Sequence, residues 1–191
     1  MKERPILFSA PMVRAILDGH KTQTRRVVKG VALAWLTPHG FGKEFVALPE
    51  NQFCPYGYPG DRIWVRETHA PQPDCWGAWD NWMLLDKKGP KPIIHYAADG
   101  GDPWIDRWRP SIHMPRWASR ITLEVTGVRI ERLNDISEED ANAEGVQHSL
   151  HLQGGRYASE NYAHLWWQIN GDGAWELNPW VWVVEFRRVN P

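Results

Sequence analysis

Residues 18 to 26 read Asp18-Gly19-His20-Lys21-Thr22-Gln23-Thr24-Arg25-Arg26, a lysine, two hydroxyls and two guanidinium groups within nine positions. A lysine serves as a base only when its ammonium loses its proton near neutral pH, which requires burial or cationic neighbours. Arg25 and Arg26 supply such neighbours. The C-terminal end of a preceding helix would act in the opposite sense, because its partial negative charge favours the cation, so burial has to decide the outcome. A lysine depressed in this way could take the proton of Thr24 or Thr22 and leave an oxygen nucleophile suited to acyl transfer. The plain alternative is that Lys21 and Thr22 solvate a turn while Thr24 fills a strand position. Glu144 is a second candidate. It falls in the last turn of a short helix, where the dipole disfavours an anion, an environment suited to a proton donor for a leaving group; its alternative is a solvent-facing helical glutamate.

The elements that must position these groups follow from periodicity. Met12, Val13, Ile16 and Leu17 share one helical face, Pro11 suits the first turn, and Gly19 suits the C-terminal cap. A strand is expected from Gln23 to Val28, so Lys21 lies before the strand proper and the polar cluster sits where the chain changes direction. Pro59-Gly60-Asp61 marks a turn into the strand Arg62-Ile63-Trp64-Val65-Arg66-Glu67. From Ile121 apolar residues alternate through Leu123 and Val125, then resume at Val128 and Ile130, so a bulge is expected at Gly127. Ser137 is expected to cap a helix running to Glu144 with Gly145 behind it. A second capped helix should start after Ser159, with Tyr162, Leu165, Trp166 and Ile169 on one face and Gly171 at its end. Trp180 to Val189 is expected as a central strand. Ile63, Val65, Leu123, Val125, Val181 and Val183 form the expected barrel core.

At 191 residues the chain fits one domain. Residues 70 to 118 hold seven of the fifteen prolines and six of the thirteen tryptophans with no sustained period, the mark of a loop-rich insertion wrapped outside the core. The net charge of −1 gives no global argument for tight duplex binding. No apolar run spans a bilayer and no signal core opens the chain, so a cytoplasmic location away from membranes is expected. Cys54 and Cys75 form no Cys-x-x-Cys pair and are expected as free thiols. Together with His69 and His95 they match no ligand spacing, so no metal and no cofactor is expected. Trp64 beside Arg66 and Glu67 could stack and hydrogen-bond a nucleobase, and Arg116 and Trp117 interleave a cation with an aromatic in a pattern compatible with phosphate and base contact. Core packing is the competing fate of the tryptophans.

The order of these pieces resembles the ASCH family. The resemblance is carried by Ile16 to Arg25, by Pro59 to Glu67, by the strand and helix from Ile121 to Glu144, and by the last strand at Val181 to Phe186. The whole chain is similar to the longer, tryptophan-rich ASCH-like proteins of phages and prophages, with residues 29–52 and 70–115 lying outside the resemblance. It implies an α+β, PUA-like, mostly antiparallel β-barrel with flanking short helices. Small bacterial members include amidohydrolases that deacetylate N4-acetylcytidine. Carried over by motif, proton acceptor, nucleophile and proton donor fall on Lys21, Thr24 and Glu144, with Thr22, Arg25, Arg26, Trp64, Arg66, Glu67, Arg116 and Trp117 around the substrate. The partner implied is a nucleoside or a single-stranded nucleic acid. Other relatives bind or cleave RNA, leaving open a non-catalytic module for RNA or modified nucleic acid, or a nuclease in which Lys21, Arg25 and Arg66 grip a phosphate.

Overall fold

The computed structural model describes residues 1–37, 40–72, 93–101, 105, 107–146 and 157–189. Five strands, β1 (Glu3–Leu7), β2 (Gln23–Val27), β3 (Arg62–Arg66), β6 (Thr122–Arg132) and β7 (Trp180–Val189), form one sheet in the order β1-β3-β6-β7-β2. Among the described residues only the β1–β3 pairing is parallel. A separate hairpin pairs β4 (His69–Pro71) with β5 (Ile94–Tyr96). Among the described residues the α-helices are α1 (Ala10–Leu17), α2 (Gly30–Leu36), α3 (Lys43–Val46), α4 (Glu138–Ala143) and α5 (Ala158–Asn170). This mixed α+β architecture with a mostly antiparallel sheet accords with the PUA-like expectation.

β1 and β2 are the edges of the sheet, yet the Arg26 guanidinium in β2 donates to the Leu7 carbonyl at the end of β1 over 2.7 Å. The edges therefore face one another, and the sheet curls into a barrel whose seam is bridged by side chains. Inside lie Ile6, Ile63, Val65, Leu123, Val125, Ile130, Trp182, Val184 and Phe186, closed at one side by Val13 and Ile16 of α1. Pro11 sits in the first turn of α1, as expected of a residue without a free N–H, and Gly19 follows it at φ +78°.

β7 departs from the expected phase. Val181 and Val183 are fully buried, but they belong to a second core, with Leu133, Ala141, Tyr162, Leu165 and Trp166 beneath α4 and α5. The barrel-facing residues of β7 are Trp182, Val184 and Phe186 instead. The strand is apolar at every position from Trp180 to Val184 because both of its faces are covered, so alternation could not say which face is inner. In β6 the register shifts between Val125 and Gly127, and the bulge moves the inward set from Leu123 and Val125 to Val128 and Ile130.

The described residues of the segment 70 to 118 pack against the barrel. Residues 73–92, including Cys75, lie outside the described residues. Ala98, however, is part of the barrel core and its carbonyl accepts from Arg14, while Met114 and Ala118 are buried. Arg120 fastens this part to β3. It pairs with the buried Glu67 through two 3.0 Å bonds, meets Asp99 at 2.7 Å, and lies 4.0 Å from the Tyr96 ring centroid. No helix among the described residues is long and apolar enough to cross a membrane.

Candidate active site

The turn that carries Lys21 is built by backbone bonds. His20 and Lys21 both donate to the Ala15 carbonyl of α1, and Thr22 donates to the Ala143 carbonyl of α4 at 2.8 Å. α4 is capped as expected, the Ser137 hydroxyl accepting from the Asp140 N–H. Glu144 is its C-cap, and Gly145 follows at φ +78°. A Cβ on Gly145 would stand 2.9 Å from the Ala15 Cβ and 3.0 Å from the Lys21 Cβ. Only glycine both adopts this conformation readily and lets the end of α4 press against Lys21.

That approach brings Lys21 and Glu144 together. The Lys21 ammonium donates to the Glu144 carboxylate at 2.6 Å and to the Glu144 backbone carbonyl at 3.0 Å, and its side chain is fully buried. Burial is the strongest influence on Lys21 and pulls its pKa below the ordinary lysine value; the Glu144 charge and hydrogen bond resist, while Arg26 and Arg25 reinforce the downward shift. The other Glu144 oxygen accepts from Arg25 at 3.3 Å. Glu144 is thus held by two cations, which the helix-end argument alone did not include.

Alternation along β2 separates the remaining roles. Thr24 pairs with Val184 and shares its inward face; Arg25 pairs with Val183 and shares the outward one. Beneath α4, Arg25 meets Glu131 at 2.5 Å and Asp140 at 2.7 Å, and Arg129 joins the same carboxylates and Glu185. Arg25 is therefore a buried structural cation whose charge is answered three times over. The Thr24 hydroxyl has no hydrogen-bond partner among the described residues, although Thr24 is only 3% exposed.

A cavity of about 540 Å³ opens at the free edge of β2, against the barrel seam. Thr24, Arg25, Arg26 and Glu144 provide its polar wall, and Tyr56, Tyr162, Trp166 and Trp182 its aromatic walls. Lys21 does not line it and stands behind Glu144. Burial, followed by the Glu144 charge, holds the Tyr162 phenol well above its usual pKa, so it remains a proton donor. The volume lies within the range of about 300–1,000 Å³ usual for small-ligand pockets.

The structure brings Lys21, Thr24, Arg25, Arg26 and Glu144 together. Thr22 lies beside them with its side chain exposed. Trp64, Arg66, Glu67, Arg116 and Trp117 do not line the cavity. The alternation that sends Ile63 and Val65 into the core sends Trp64 and Arg66 out, where Arg66 and Arg116 lie 5.3 and 5.8 Å from the Trp64 ring. Arg66 bonds the Met114 carbonyl, Arg116 pairs with Glu3, and Glu67 is occupied by Arg120. The cavity aromatics escaped sequence reading. Tyr162 and Trp166 have the helical spacing of core residues, and Tyr56 falls in a stretch without period. Glu131 and Asp140 were also missed, though the bulge at Gly127 gave a signal, since it places Glu131 on the face of Arg25. Cys54 is free and buried, and burial pushes its thiol up to about 11, which makes it a poor nucleophile. No group of three or more potential metal ligands occurs among the described residues.

The class defined by fold and site is a mixed α+β domain with a curled, mostly antiparallel sheet and a cavity at its open edge. Solved structures similar to it include an ASCH domain from Lactobacillus crispatus, at 12% identity and a TM-score of 0.37 over 98% of this chain and 79% of that one. The hypothetical protein PH0355 is similar at 13% identity and TM-score 0.40, over 99% and 100% of the two chains. Protein EF3133 from Enterococcus faecalis is similar at 14% and 0.38, over 99% and 80%. No family model and no curated protein matches the sequence. Superpositions this loose transfer no activity, so a functional assignment has to rest on the chemistry of this chain's own residues.

Proposed function

We propose that the protein is an amidohydrolase acting on an N-acylated cytosine nucleoside, of the N4-acetylcytidine type, or on a related modified base. The observation that carries this reading is the Thr24 hydroxyl, without a protein partner among the described residues, in an aromatic-walled cavity whose polar wall includes the Lys21-bound carboxylate of Glu144. The base would lie among Tyr56, Tyr162, Trp166 and Trp182, with its acyl group toward Thr24.

In this mechanism the Thr24 oxygen bonds to the acyl carbon while its proton passes to the Lys21–Glu144 pair, the lowered pKa of Lys21 increasing the share of neutral amine able to take it. Collapse of the tetrahedral adduct breaks the carbon–nitrogen bond, and the departing amine takes its proton from Glu144. Water then hydrolyses the threonine ester, releasing the carboxylic acid and restoring the hydroxyl. Arg25, pinned by Glu131 and Asp140, fixes the carboxylate of Glu144 without contributing a free charge.

One observation favours a second reading. Lys21 stands behind Glu144, and a pair so enclosed also suits a recognition module that binds a modified base without turning it over. The nuclease reading is supported least, because the charges of Lys21 and Arg25 are answered by carboxylates and Arg66 lies outside the cavity. Incubating the purified protein with N4-acetylcytidine and with a single-stranded RNA separates these readings. Release of cytidine supports the amidohydrolase, shortened RNA the nuclease, and retention of either unchanged ligand the recognition module.

A further inference from the structure

The segment between β2 and β3, of which residues 29–52 lie outside the ASCH resemblance, places four aromatic rings in contact. Trp35 of α2 lies 4.8 Å from Phe41 and 5.9 Å from Phe45 of α3, with interplanar angles of 28° and 13°. Phe41 and Phe45 are 5.1 Å apart at 23°. Phe53 meets the same indole at 5.4 Å and also lines the cavity. The rings therefore run outward from the cavity wall. Trp35 and Phe53 pack against the barrel core, but Phe41 and Phe45 do not, and they remain 43% and 40% exposed. Near-parallel, partly exposed rings offer the kind of surface on which nucleobases stack without regard to sequence.

Charge defines the occupant further. Lys29 and Arg26 line the same cavity as Phe53, so cations stand on the wall from which the rings extend. Glu44 and Glu50 lie on the same segment and would repel a phosphate farther out. We infer that this ring shelf stacks the base of one nucleotide flanking the base held in the cavity, so that the preferred substrate is a single-stranded oligonucleotide containing the acylated cytosine. This deepens the proposed amidohydrolase reading and rests on it.

The test compares N4-acetylcytidine with dinucleotides in which adenosine precedes or follows it. At least one dinucleotide should have a kcat/KM about fivefold or more above the nucleoside, the lower end of what base–aromatic stacking provides. Phe41→Ala and Phe45→Ala should abolish that gain while leaving hydrolysis of the nucleoside unchanged. Phe45→Leu retains apolar bulk without a flat ring and should behave like Phe45→Ala, and an unchanged Tm for each variant confirms folding. Equal kcat/KM for nucleoside and both dinucleotides, or a gain that survives in both alanine variants, overturns the proposal. If no substrate is hydrolysed, the enzymatic reading fails, and the shelf is judged separately by affinity for unmodified cytidine against the matching dinucleotides. A ring-dependent preference for a dinucleotide supports it and equal affinity overturns it. Self-association lost in Phe41→Ala would assign the rings to a second copy and also overturn it.

Discussion

Lys21 owes its chemical potential to placement. In a solvated turn it would be an ordinary cation; buried behind Glu144 it is drawn toward neutrality, with Arg25 and Arg26 adding to the effect. For the proposed hydrolase, kcat/KM should therefore rise with pH along a limb lying below the ordinary lysine value of about 10.4, and Lys21→Met should remove that limb. A pH–rate profile of both proteins checks this, and a limb that persists in the variant assigns it to another group. Glu144→Gln separates proton donation from placement. Its loss of rate should be greatest for amides with poor leaving groups and should shrink as the leaving amine becomes more acidic, a trend measurable with a series of ring-substituted acylated cytidines.

At the scale of elements, the site depends on two backbone features, the turn after α1 and the end of α4. Gly145→Ala meets both the left-handed backbone and the close approach to Ala15 and Lys21. It should destabilise the protein by about 2–3 kcal/mol, combining the strain of positive φ with overpacking. Because the strain lies next to Glu144, activity should fall even where the variant is fully folded. Denaturant titration and steady-state rates would show this, and unchanged values for both would contradict the close-packed account. The helix, strand and bulge signals around Lys21, Thr24 and Gly127 were legible because they are local. Ser137 caps α4 as its sequence context implied, but α5 starts before Ser159 and is capped from outside, the Glu138 carboxylate accepting from the Ala158 N–H at 2.7 Å and the Ser159 N–H at 3.2 Å. Such a cap depends on the packing of two helices and has no signature within either. The face of β7 and the cavity aromatics were hidden for the same reason, since tertiary contacts alone decide which of two apolar faces is inner.

Across the whole molecule, the barrel and the proline- and tryptophan-rich segment are joined through Arg120, which spans Glu67, Asp99 and Tyr96. Arg120→Ala leaves the Glu67 carboxylate buried without its partner and should cost about 3 kcal/mol or more. Glu67→Gln in the same background should recover part of the loss. The pH dependence has a definite sign. Burial, opposed by Arg120, raises the folded pKa of Glu67, so its contribution is fully present below its unfolded pKa and is lost as pH rises through the raised folded value. Removing Arg120 should steepen that loss, and urea titrations across the acid range would record it.

The central claim, that Thr24 and Lys21 perform acyl transfer in the β2-edge cavity, is tested most directly by measuring kcat on N4-acetylcytidine alongside affinity for the product cytidine in wild type, Lys21→Ala and Thr24→Ala. Loss of a general base or nucleophile should lower kcat by at least about 10²-fold in each variant while cytidine affinity changes far less. A wild type without turnover, in which Lys21→Ala abolishes only binding, would contradict the claim and assign the cavity to recognition.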